Sequence, residues 1–294
     1  MESLSFDRIY IEITNVCDLQ CPFCPPSGRK DKFMSAEALM NIASQISPYT
    51  KTAILHLRGE PLLHPQLSEI LTILGRAGLC VHITTNATRI AASAQALLEH
   101  SDVVSQVSFS LQSLCYSENR AACLLSAVDF AQRFSSLGGS VVFRLWADTP
   151  DDWKENIYKL FSEKFGKSPF ELRKNARRTI LQKQIYFSRE DEFTWPQSNT
   201  TPPLTGFCYG TLRQLGILSD GVVVPCCLDF KGLEPLGNIF ESSFSDIIGG
   251  KRFSEIKEGF QKGLAISPLC AACSFRSRFA KKANLLRSAH EATS

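Results

Sequence analysis

The sequence predicts an α/β protein that begins with an incomplete barrel of six β/α units and ends in a small cysteine-rich region. Short β-rich runs alternate with helical stretches from residue 8 to residue 187. A proline-containing segment then interrupts the alternation, and five of the eleven cysteines follow it. Because strand–helix alternation usually produces a parallel sheet with right-handed crossovers, we expect this topology in the first part of the chain.

The predicted elements follow from periodicity and from the residues that begin and end each of them. The strands are Arg8–Thr14, Thr52–Leu57, Val81–Thr85, Val103–Ser110, Val141–Trp146 and Thr179–Phe187, with two further strands, Leu212–Leu218 and Val222–Pro225, near the carboxyl end. The helices are Ser35–Ser47, Gln66–Ala77, Ala91–His100, Arg120–Leu137, Asp151–Lys164 and Ser245–Phe260. Ser35 is a typical N-cap, and Gly78 and Gly138 stand where helices often end. Six units within roughly 190 residues predict a partial (β/α)6 barrel, since closed barrels have eight.

A domain boundary is predicted where prolines make both a helix and a central strand impossible. Trp195-Pro196 and Thr201-Pro202-Pro203 lie in this segment, and proline lacks the backbone N–H that either element needs. We therefore expect a barrel domain over residues 1–193, a linker over 194–207 and a C-terminal domain over 208–294.

Composition and charge exclude several classes of protein. Of the 294 residues, 44% are hydrophobic and 21% are charged, as in globular domains rather than disordered or coiled-coil chains. A net charge of +3 is too small to indicate a nucleic-acid partner or an anionic membrane. The chain starts without a secretory signal and has no apolar run of membrane-spanning length, so we expect a cytoplasmic protein. In a reducing compartment, clustered cysteines more often bind metal than form disulfides.

Cys17, Cys21 and Cys24 form the first cysteine cluster, in the loop after the first predicted strand. Three thiolates can hold three irons of a cubane iron–sulfur cluster, which usually has four cysteine ligands. The fourth iron would then be open, and an open coordination position marks a catalytic metal site. The alternative is a zinc site with a distant fourth ligand such as His56 or Cys80. The loop lies at the mouth of a β/α barrel, where active sites gather, which favours the catalytic interpretation.

The first cluster resembles the CxxxCxΦC signature of radical S-adenosylmethionine (SAM) enzymes. The match is Cys17-Asp18-Leu19-Gln20-Cys21-Pro22-Phe23-Cys24, after the strand that ends at Thr14. The resemblance implies a [4Fe-4S] cluster on the three cysteines, whose open iron binds the amino and carboxylate groups of SAM. It also implies cleavage of SAM to methionine and a 5′-deoxyadenosyl radical that abstracts a substrate hydrogen, with Phe23 beside the adenine.

Further segments match motifs of this family in the expected order. Arg58-Gly59-Glu60-Pro61 resembles the GGEP motif, which implies that Gly59 and Glu60 hold the SAM amino group, although Arg58 stands where the motif has glycine. Thr84-Thr85-Asn86-Ala87 resembles a TNG segment, which implies a place for Asn86 at the SAM site. Ser110 and Arg144 stand on the fourth and fifth strands, where the resemblance implies polar contacts to the ribose and carboxylate of SAM. Ordinary strand-end polarity is the alternative for both.

The second cluster consists of cysteines beyond the boundary whose spacing groups them into one site: Cys208, Cys226, Cys270 and Cys273. Ser219-Asp220-Gly221 between two apolar runs predicts a β-hairpin, which places Cys208 before its first strand and Cys226 after its second. Four thiolates make a closed site for a cubane cluster or for the zinc of a zinc ribbon. Cys227 is the alternative ligand to Cys226.

This region resembles the SPASM/Twitch extension of radical SAM enzymes, including Gly237-Asn238-Ile239 after the hairpin. No cysteine follows Cys273, which implies the shorter Twitch form with a single auxiliary [4Fe-4S] cluster. The cysteine spacing is similar to that of a radical SAM dehydrogenase that oxidises an amino-sugar-like alcohol. Cys80, Cys115 and Cys123 are expected to be buried thiols outside both sites.

These resemblances imply a radical SAM oxidoreductase in which the auxiliary cluster accepts an electron from the substrate radical, for a net oxidation. The expected partners are a small-molecule or peptide substrate and a reductant such as flavodoxin or ferredoxin. The short segment before the first strand leaves no room for a leader-binding domain, which disfavours a peptide-modifying enzyme without excluding it. A non-enzymatic zinc-binding interaction module is the alternative of another class. We predict no general base, because Asp220 belongs to a turn and Asp229 is equally explained as a loop acid.

Overall fold

The computed structural model describes residues 4–173, 178–193, 195–196 and 204–291, with side chains of the last helix described as far as Leu286. The strands are β1 (Arg8–Ile11), β2 (Thr52–Leu55), β3 (Cys80–Thr85), β4 (Val104–Ser110), β5 (Ser140–Trp146), β6 (Thr179–Gln182), β7 (Ile185–Glu190), β8 (Leu204–Thr205), β9 (Gln214–Ile217), β10 (Val222–Val224), β11 (Gly237–Asn238) and β12 (Leu264–Ala265). The helices are α1 (Ala36–Ile46), α2 (Leu67–Arg76), α3 (Ile90–Glu99), α4 (Leu111–Leu114), α5 (Arg120–Ser136), α6 (Asp151–Phe165), α7 (Pro169–Arg173), α8 (Phe244–Gly249), α9 (Lys251–Gln261), α10 (Pro268–Ala272) and α11 (Ala280–Glu291). Short 3₁₀ turns cover Pro61–Leu63 and Ser274–Phe279.

One ten-stranded sheet, in the order β11-β10-β9-β1-β2-β3-β4-β5-β7-β6, organises the chain. Six consecutive neighbours, β1 through β5 and then β7, pair in parallel, and helices connect them. This arrangement confirms the predicted α/β fold class with six parallel strands. A separate two-stranded sheet pairs β8 with β12.

Side-chain alternation in β1 and β3 separates a buried apolar side from a side that carries polar groups. In β3, Val81 and Ile83 are buried in the core, whereas His82 and Thr84 are partly exposed. In β1, Ile9 and Ile11 are likewise buried, and Tyr10 between them faces the other side. The interior of the barrel is therefore lined by groups that can contact a polar ligand.

Two predicted elements differ from the structure. The predicted strand Thr179–Phe187 is a hairpin, in which β6 runs antiparallel to β7 at the sheet edge and Gln184 takes a turn conformation with φ 64°. The two turn residues are Lys183 and Gln184. Neither is a glycine, asparagine or proline, so the sequence lacked the usual turn signal. The predicted helix Ser245–Phe260 is two helices, α8 and α9, because Gly250 is extended between them.

The predicted C-terminal hairpin forms and joins the barrel sheet. β9 pairs in parallel with β1 over four residues, from Arg8 opposite Gln214 to Ile11 opposite Ile217, and β10 pairs antiparallel with β9. The strands before and after the predicted linker therefore share one sheet. Within the predicted linker 194–207, residue 194 and residues 197–203 lie outside the described residues.

Gly59 lies against the loop that carries the first cysteine cluster, residues 15–32, which we call the cysteine loop. It has φ 77°, and a Cβ at this position would lie 2.8 Å from the carbonyl oxygen of Val16. The amide of Glu60 donates a 2.8 Å hydrogen bond to that same carbonyl. The turn after β2 and the start of the cysteine loop thus approach each other so closely that only glycine fits at position 59.

No helix among the described residues has both the length and the apolar character needed to cross a membrane.

We predict that Gly59→Ala destabilises the protein by about 2 kcal/mol more than Gly28→Ala, because overpacking adds to the left-handed backbone strain that both variants share. Gly28 is the matched control: its φ is 69°, and its Cβ would meet no described heavy atom within 4 Å. Urea unfolding followed by circular dichroism measures both losses. Equal losses in the two variants would contradict the close approach at Gly59.

Candidate active site

The cysteine loop is closed at its base by the side chain of Asn15. Its Nδ2 donates to the carbonyl of Lys30 over 2.9 Å, and its Oδ1 accepts from the amide of Lys32 over 2.7 Å. An isolated bridge pairs Thr14 with Phe33 beneath these bonds. The loop is therefore presented as a closed unit at the carboxyl end of β1, the edge where barrel active sites lie.

The three thiols of the loop each contact a different neighbour. Cys21 is 9% exposed and points to the carbonyl of Ser113, with 3.9 Å from Sγ to oxygen. Asn86 Nδ2 lies 3.7 Å from the Sγ of Cys17, and Arg58 Nη1 lies 2.6 Å from the Sγ of Cys24.

Burial, with the neighbouring thiols acting in the same direction, raises the pKa of Cys17 and Cys21 to about 11. Binding of iron must therefore displace thiol protons. Among the described residues, no three or more His, Cys, Asp or Glu side chains are gathered as a ready site for a metal ion. Soft thiol donors presented from separate positions on one loop suit a cubane cluster, whose ligands attach at different corners.

Glu60 is fully buried beside the cysteine loop and already accepts three hydrogen bonds. Its Oε1 accepts from the amide of Leu62 over 3.0 Å and from the hydroxyl of Thr85 over 2.7 Å. Its Oε2 accepts from the amide of Asn86 over 2.7 Å. A carboxylate has about four acceptor positions, so one remains for a ligand. Burial raises the pKa of Glu60 to about 7.

The turn after β3 ties the third strand to the cysteine loop. Asn86 Nδ2 donates to Asp18 Oδ1 over 3.0 Å, and Thr88 Oγ1 donates to Asp18 Oδ2 over 2.7 Å. Ala87, which stands where the family motif has glycine, takes a left-handed φ of 72°. Arg58, the other departure from a glycine of the family motifs, does not have a positive φ. The replacement of glycine by Arg58 therefore causes no backbone strain, whereas its replacement by Ala87 does.

Ser110 and Arg144 are paired in register on β4 and β5, with Ser188 of β7 next in the row. Arg144 makes a two-point ion pair with Glu190, at 3.1 Å from Nε and 2.7 Å from Nη2. The sequence analysis did not identify Glu190, which lies 46 residues further along the chain. Nearby His56 has its pKa lowered to about 4, by burial and then by the charge of Arg144.

Phe23 lies in an aromatic group at the rim of the barrel. Its ring centroid is 4.6 Å from that of Trp146 and 6.0 Å from that of Tyr116. These rings, with Gln112 and Glu192, line a cleft of about 310 Å³. The cleft combines aromatic faces with polar side chains, an arrangement suited to an aromatic ring of a ligand that also carries polar groups.

The auxiliary cysteines come together from two separate chain segments. Cys208 and Cys270 lie close enough to Cys226 to raise the pKa of its thiol further above the level set by burial, and Cys273 lies close enough to act in the same way on Cys208 and Cys270. Burial is the largest cause of the raised pKa of Cys208, which reaches about 11. Arg276 fixes the second segment by donating to the carbonyls of Cys270 and Ala271, each over 2.8 Å.

Cys227 differs from Cys226 in what it faces. Tyr10 of β1 and Cys227 pack against the same small apolar cluster. Burial raises the pKa of the Cys227 thiol to about 11, and the charge of Arg144 opposes that shift. Cys227 also lies near Cys208. The pair Cys226-Cys227 thus joins the auxiliary group to the interior of the barrel.

A buried ion pair that the sequence analysis missed connects the two cysteine groups. Glu12 has a fully buried side chain and pairs with Arg29 of the cysteine loop, whose side chain is 13% exposed. Arg29 also donates to the hydroxyl of Ser219 over 3.1 Å and to the carbonyl of Phe230 over 2.9 Å. The sequence did contain one signal for this ion pair: Glu12 stands between two isoleucines of a predicted strand. A charge buried there needs a partner of opposite charge.

The three cysteines outside these sites have local contacts of their own and are partly buried. Cys80 Sγ lies 2.8 Å from the hydroxyl of Ser105. Cys123 Sγ lies 3.8 Å from the carbonyl of Thr88, and Arg120 Nη1 lies 3.6 Å from Cys115 Sγ. All eleven cysteines are free thiols.

Solved structures with the same fold include several that bind SAM. BtrN, in complex with AdoMet and 2-DOIA, has a TM-score of 0.55 and 18% identity over 93% of this chain and 94% of its own. Streptococcus suis SuiB bound to its precursor peptide SuiA has a TM-score of 0.60 and 16% identity over 91% and 71%. The protein anSMEcpe with bound AdoMet has a TM-score of 0.57 and 12% identity over 98% and 100%. At these identities the likeness shows the fold.

A curated relative, the probable GTP 3′,8-cyclase of Methanocella arvoryzae, is 35% identical over 106 residues, which are 35% of this chain and 34% of the relative. The match thus spans about a third of that relative. The iron–sulfur cluster-binding domain called SPASM matches residues 208–274. The radical SAM superfamily matches residues 11–166, more than half of the chain. With its cysteine loop, parallel barrel strands and auxiliary cysteine group, this chain belongs to the radical SAM superfamily and carries a C-terminal SPASM domain.

Proposed function

We propose that this protein is a radical SAM oxidoreductase that removes a hydrogen atom from its substrate and completes a net oxidation with the help of an auxiliary cluster. When bound, the first cluster supplies the electron that cleaves SAM and generates the hydrogen-abstracting radical. We assign the ligands of this cluster to Cys17, Cys21 and Cys24. The support is their placement on one closed loop at the catalytic edge of the barrel, beside the family motif that contains Gly59 and Glu60.

The side chains around the loop are assigned roles in holding SAM. Glu60 offers its one remaining acceptor position to the SAM amino group, and Gly59 allows the motif to approach the loop. Asn86 adds a polar group over Cys17. Phe23 supplies the apolar wall of the rim cleft for the adenine.

Two polar residues of the barrel interior complete the proposed SAM site. Ser110 and Arg144 present a hydroxyl and a cation for the ribose and carboxylate of SAM. The ion pair with Glu190 uses Nε and Nη2 of Arg144. Among the described residues the Nη1 group makes no hydrogen bond, so the guanidinium retains a donor for a ligand.

One observation carries the oxidative part of the proposal: the auxiliary cysteine segment faces the barrel interior. Cys227, next to Cys226, packs with Tyr10 of β1 against the same apolar cluster, and the charge of Arg144 on β5 acts on its thiol. After the substrate has lost a hydrogen atom, its radical must lose one more electron and one proton to complete a two-electron oxidation. A cluster held by Cys226 and its partners would be placed to accept that electron, and a base would take the proton.

A peptide substrate is the second candidate. It is supported by the fold shared with SuiB, which was solved with a precursor peptide bound. Deuterium transfer into 5′-deoxyadenosine from labelled small amino alcohols, compared with labelled peptides, separates the two substrate classes. Recovery of intact SAM without net oxidation would instead indicate an isomerase.

We also propose a flavodoxin or ferredoxin as the reductant and the cytoplasm as the location. Cysteines grouped to bind metal rather than to form disulfides are typical of proteins in a reducing compartment. The shared superfamily supports iron and SAM rather than the zinc of a structural module.

We predict that the anaerobically reconstituted protein cleaves SAM to 5′-deoxyadenosine when dithionite is added, and that the Cys17→Ala/Cys21→Ala/Cys24→Ala variant does not. The reason is that an electron can reach SAM only through iron held at this loop. Chromatography of 5′-deoxyadenosine measures the product. The matched control is Cys80→Ala/Cys115→Ala/Cys123→Ala, which removes three thiols outside both groups and should retain activity. Continued cleavage by the first variant would overturn the ligand assignment.

A second prediction concerns the auxiliary cysteines. The reconstituted protein should contain about eight irons, and replacement of Cys208, Cys226, Cys270 and Cys273 by alanine should leave about four, because each cubane holds four irons. Single Cys226→Ala and Cys227→Ala variants decide which neighbour is the ligand: only the ligand's loss should lower the iron content. Iron analysis with protein quantification gives the numbers. About four irons in the intact protein would argue against an auxiliary cluster.

The third prediction is that SAM affinity rises about tenfold between pH 6 and pH 8. Glu60, with a pKa of about 7, accepts a hydrogen bond from the SAM amino group most strongly when it is ionised, and its ionised fraction grows about tenfold over this range. Titration calorimetry of the cluster-loaded protein measures the affinity. Glu60→Gln should bind weakly at every pH, whereas Glu69→Gln, at an exposed position on α2, should keep the dependence. A flat profile in the unaltered protein would contradict the role of Glu60.

A further inference from the structure

We propose that Arg58 raises the reduction potential of the cluster held by the cysteine loop. The inference rests on the proposed function, with Cys17, Cys21 and Cys24 as the cluster ligands. It assigns a role to Arg58, a residue type that the family motif does not have at this position. Arg58 occupies the position at which the GGEP motif has glycine. Its side chain therefore introduces both a positive charge and hydrogen-bond donors beside the cluster.

The geometry directs the charge of Arg58 at one cluster ligand. Its Nη1 lies 2.6 Å from the Sγ of Cys24. Its guanidinium carbon lies 5.3 Å from the ring centroid of Phe230. Within the described part of the chain, no carboxylate lies within ion-pairing distance of Arg58. The positive charge is therefore not neutralised by a direct partner.

Both ends of Arg58 are held in place. At the backbone, the close approach of Gly59 to Val16 and the hydrogen bond from Glu60 to the same carbonyl fix the residues that follow it. At the tip, Phe230 supports the guanidinium and is itself held by the Arg29 bond to its carbonyl, 2.9 Å long, and by the Trp195 ring at 4.8 Å. The guanidinium is thus preorganised against Cys24.

The positive charge of Arg58 is expected to raise the reduction potential of the cluster. Reduction adds one electron to the cluster, so a nearby cation stabilises the reduced form more than the oxidised form. Hydrogen bonds to ligand sulfurs act in the same direction, and net charge and such bonds are established determinants of iron–sulfur potentials. Glycine at this position would provide neither contribution.

The test is a redox titration of the reconstituted protein with Arg58 unaltered or replaced by Lys, Gln or Gly. Electron paramagnetic resonance follows the reduced-cluster signal that changes when SAM is added, which distinguishes the loop cluster from an auxiliary one. We expect a more negative midpoint potential in Arg58→Gln and Arg58→Gly, with Arg58→Lys between these and the unaltered protein. Arg133→Gln is the matched control, because it removes the same charge from an exposed position on α5 and should not shift the potential.

An unchanged midpoint potential in all three Arg58 variants would overturn the proposal, as would an equal shift in Arg133→Gln. If Arg58→Gly fails to bind iron, the lysine and glutamine variants still decide the outcome. The absence of any SAM-responsive signal in the unaltered protein would instead refute the proposed function. Failure of the inference and failure of the function it rests on are thus separate results.

Discussion

The buried ion pair between Glu12 and Arg29 is the interaction on which the arrangement of the site depends. It joins the end of β1, the cysteine loop and the turn of the C-terminal hairpin, since Ser219 donates to Glu12 through both its amide and its hydroxyl. Burial raises the pKa of Glu12, and the charge of Arg29 opposes that shift. Removing one partner of such a pair typically costs about 3–5 kcal/mol, because the other charge remains buried alone.

The first cysteine group is positioned by the residues around the loop rather than by the cysteines themselves. The loop is closed by Asn15, and it lies against the motif that contains Gly59 and Glu60. Glu60 in turn accepts hydrogen bonds from the residues that end β3. These contacts connect the carboxyl ends of three neighbouring strands, so a cofactor bound there would meet a surface already assembled before binding, which reduces the entropy lost on binding.

The two cysteine groups are connected by contacts of Phe230 and by residues of the barrel interior. Phe230 follows the auxiliary pair Cys226-Cys227 by three residues. It is contacted by Arg29 from the cysteine loop and by Arg58 from the turn after β2. On the inner side, Tyr10 packs with Cys227 against the same apolar cluster. Because β9 and β10 extend the barrel sheet, the auxiliary group is a continuation of the same structure, and its distance from the loop is set by strand pairing.

The sequence by itself determined the features that depend on neighbouring residues. These include the cysteine spacing, the α/β alternation, the capping of α1 by Ser35 and the hairpin at Asp220-Gly221, for each is a local pattern with a local physical cause. The tertiary structure decided the pairing of β9 with β1, the ion pairs of Glu12 and Arg144, and the contact of Arg58 with Cys24. The partners are separated along the chain by 17 residues for Glu12 and Arg29, 34 for Arg58 and Cys24, 46 for Arg144 and Glu190, and about 200 for β1 and β9. Their interaction depends on which strand ends the fold brings together, and no periodicity or short motif encodes that proximity.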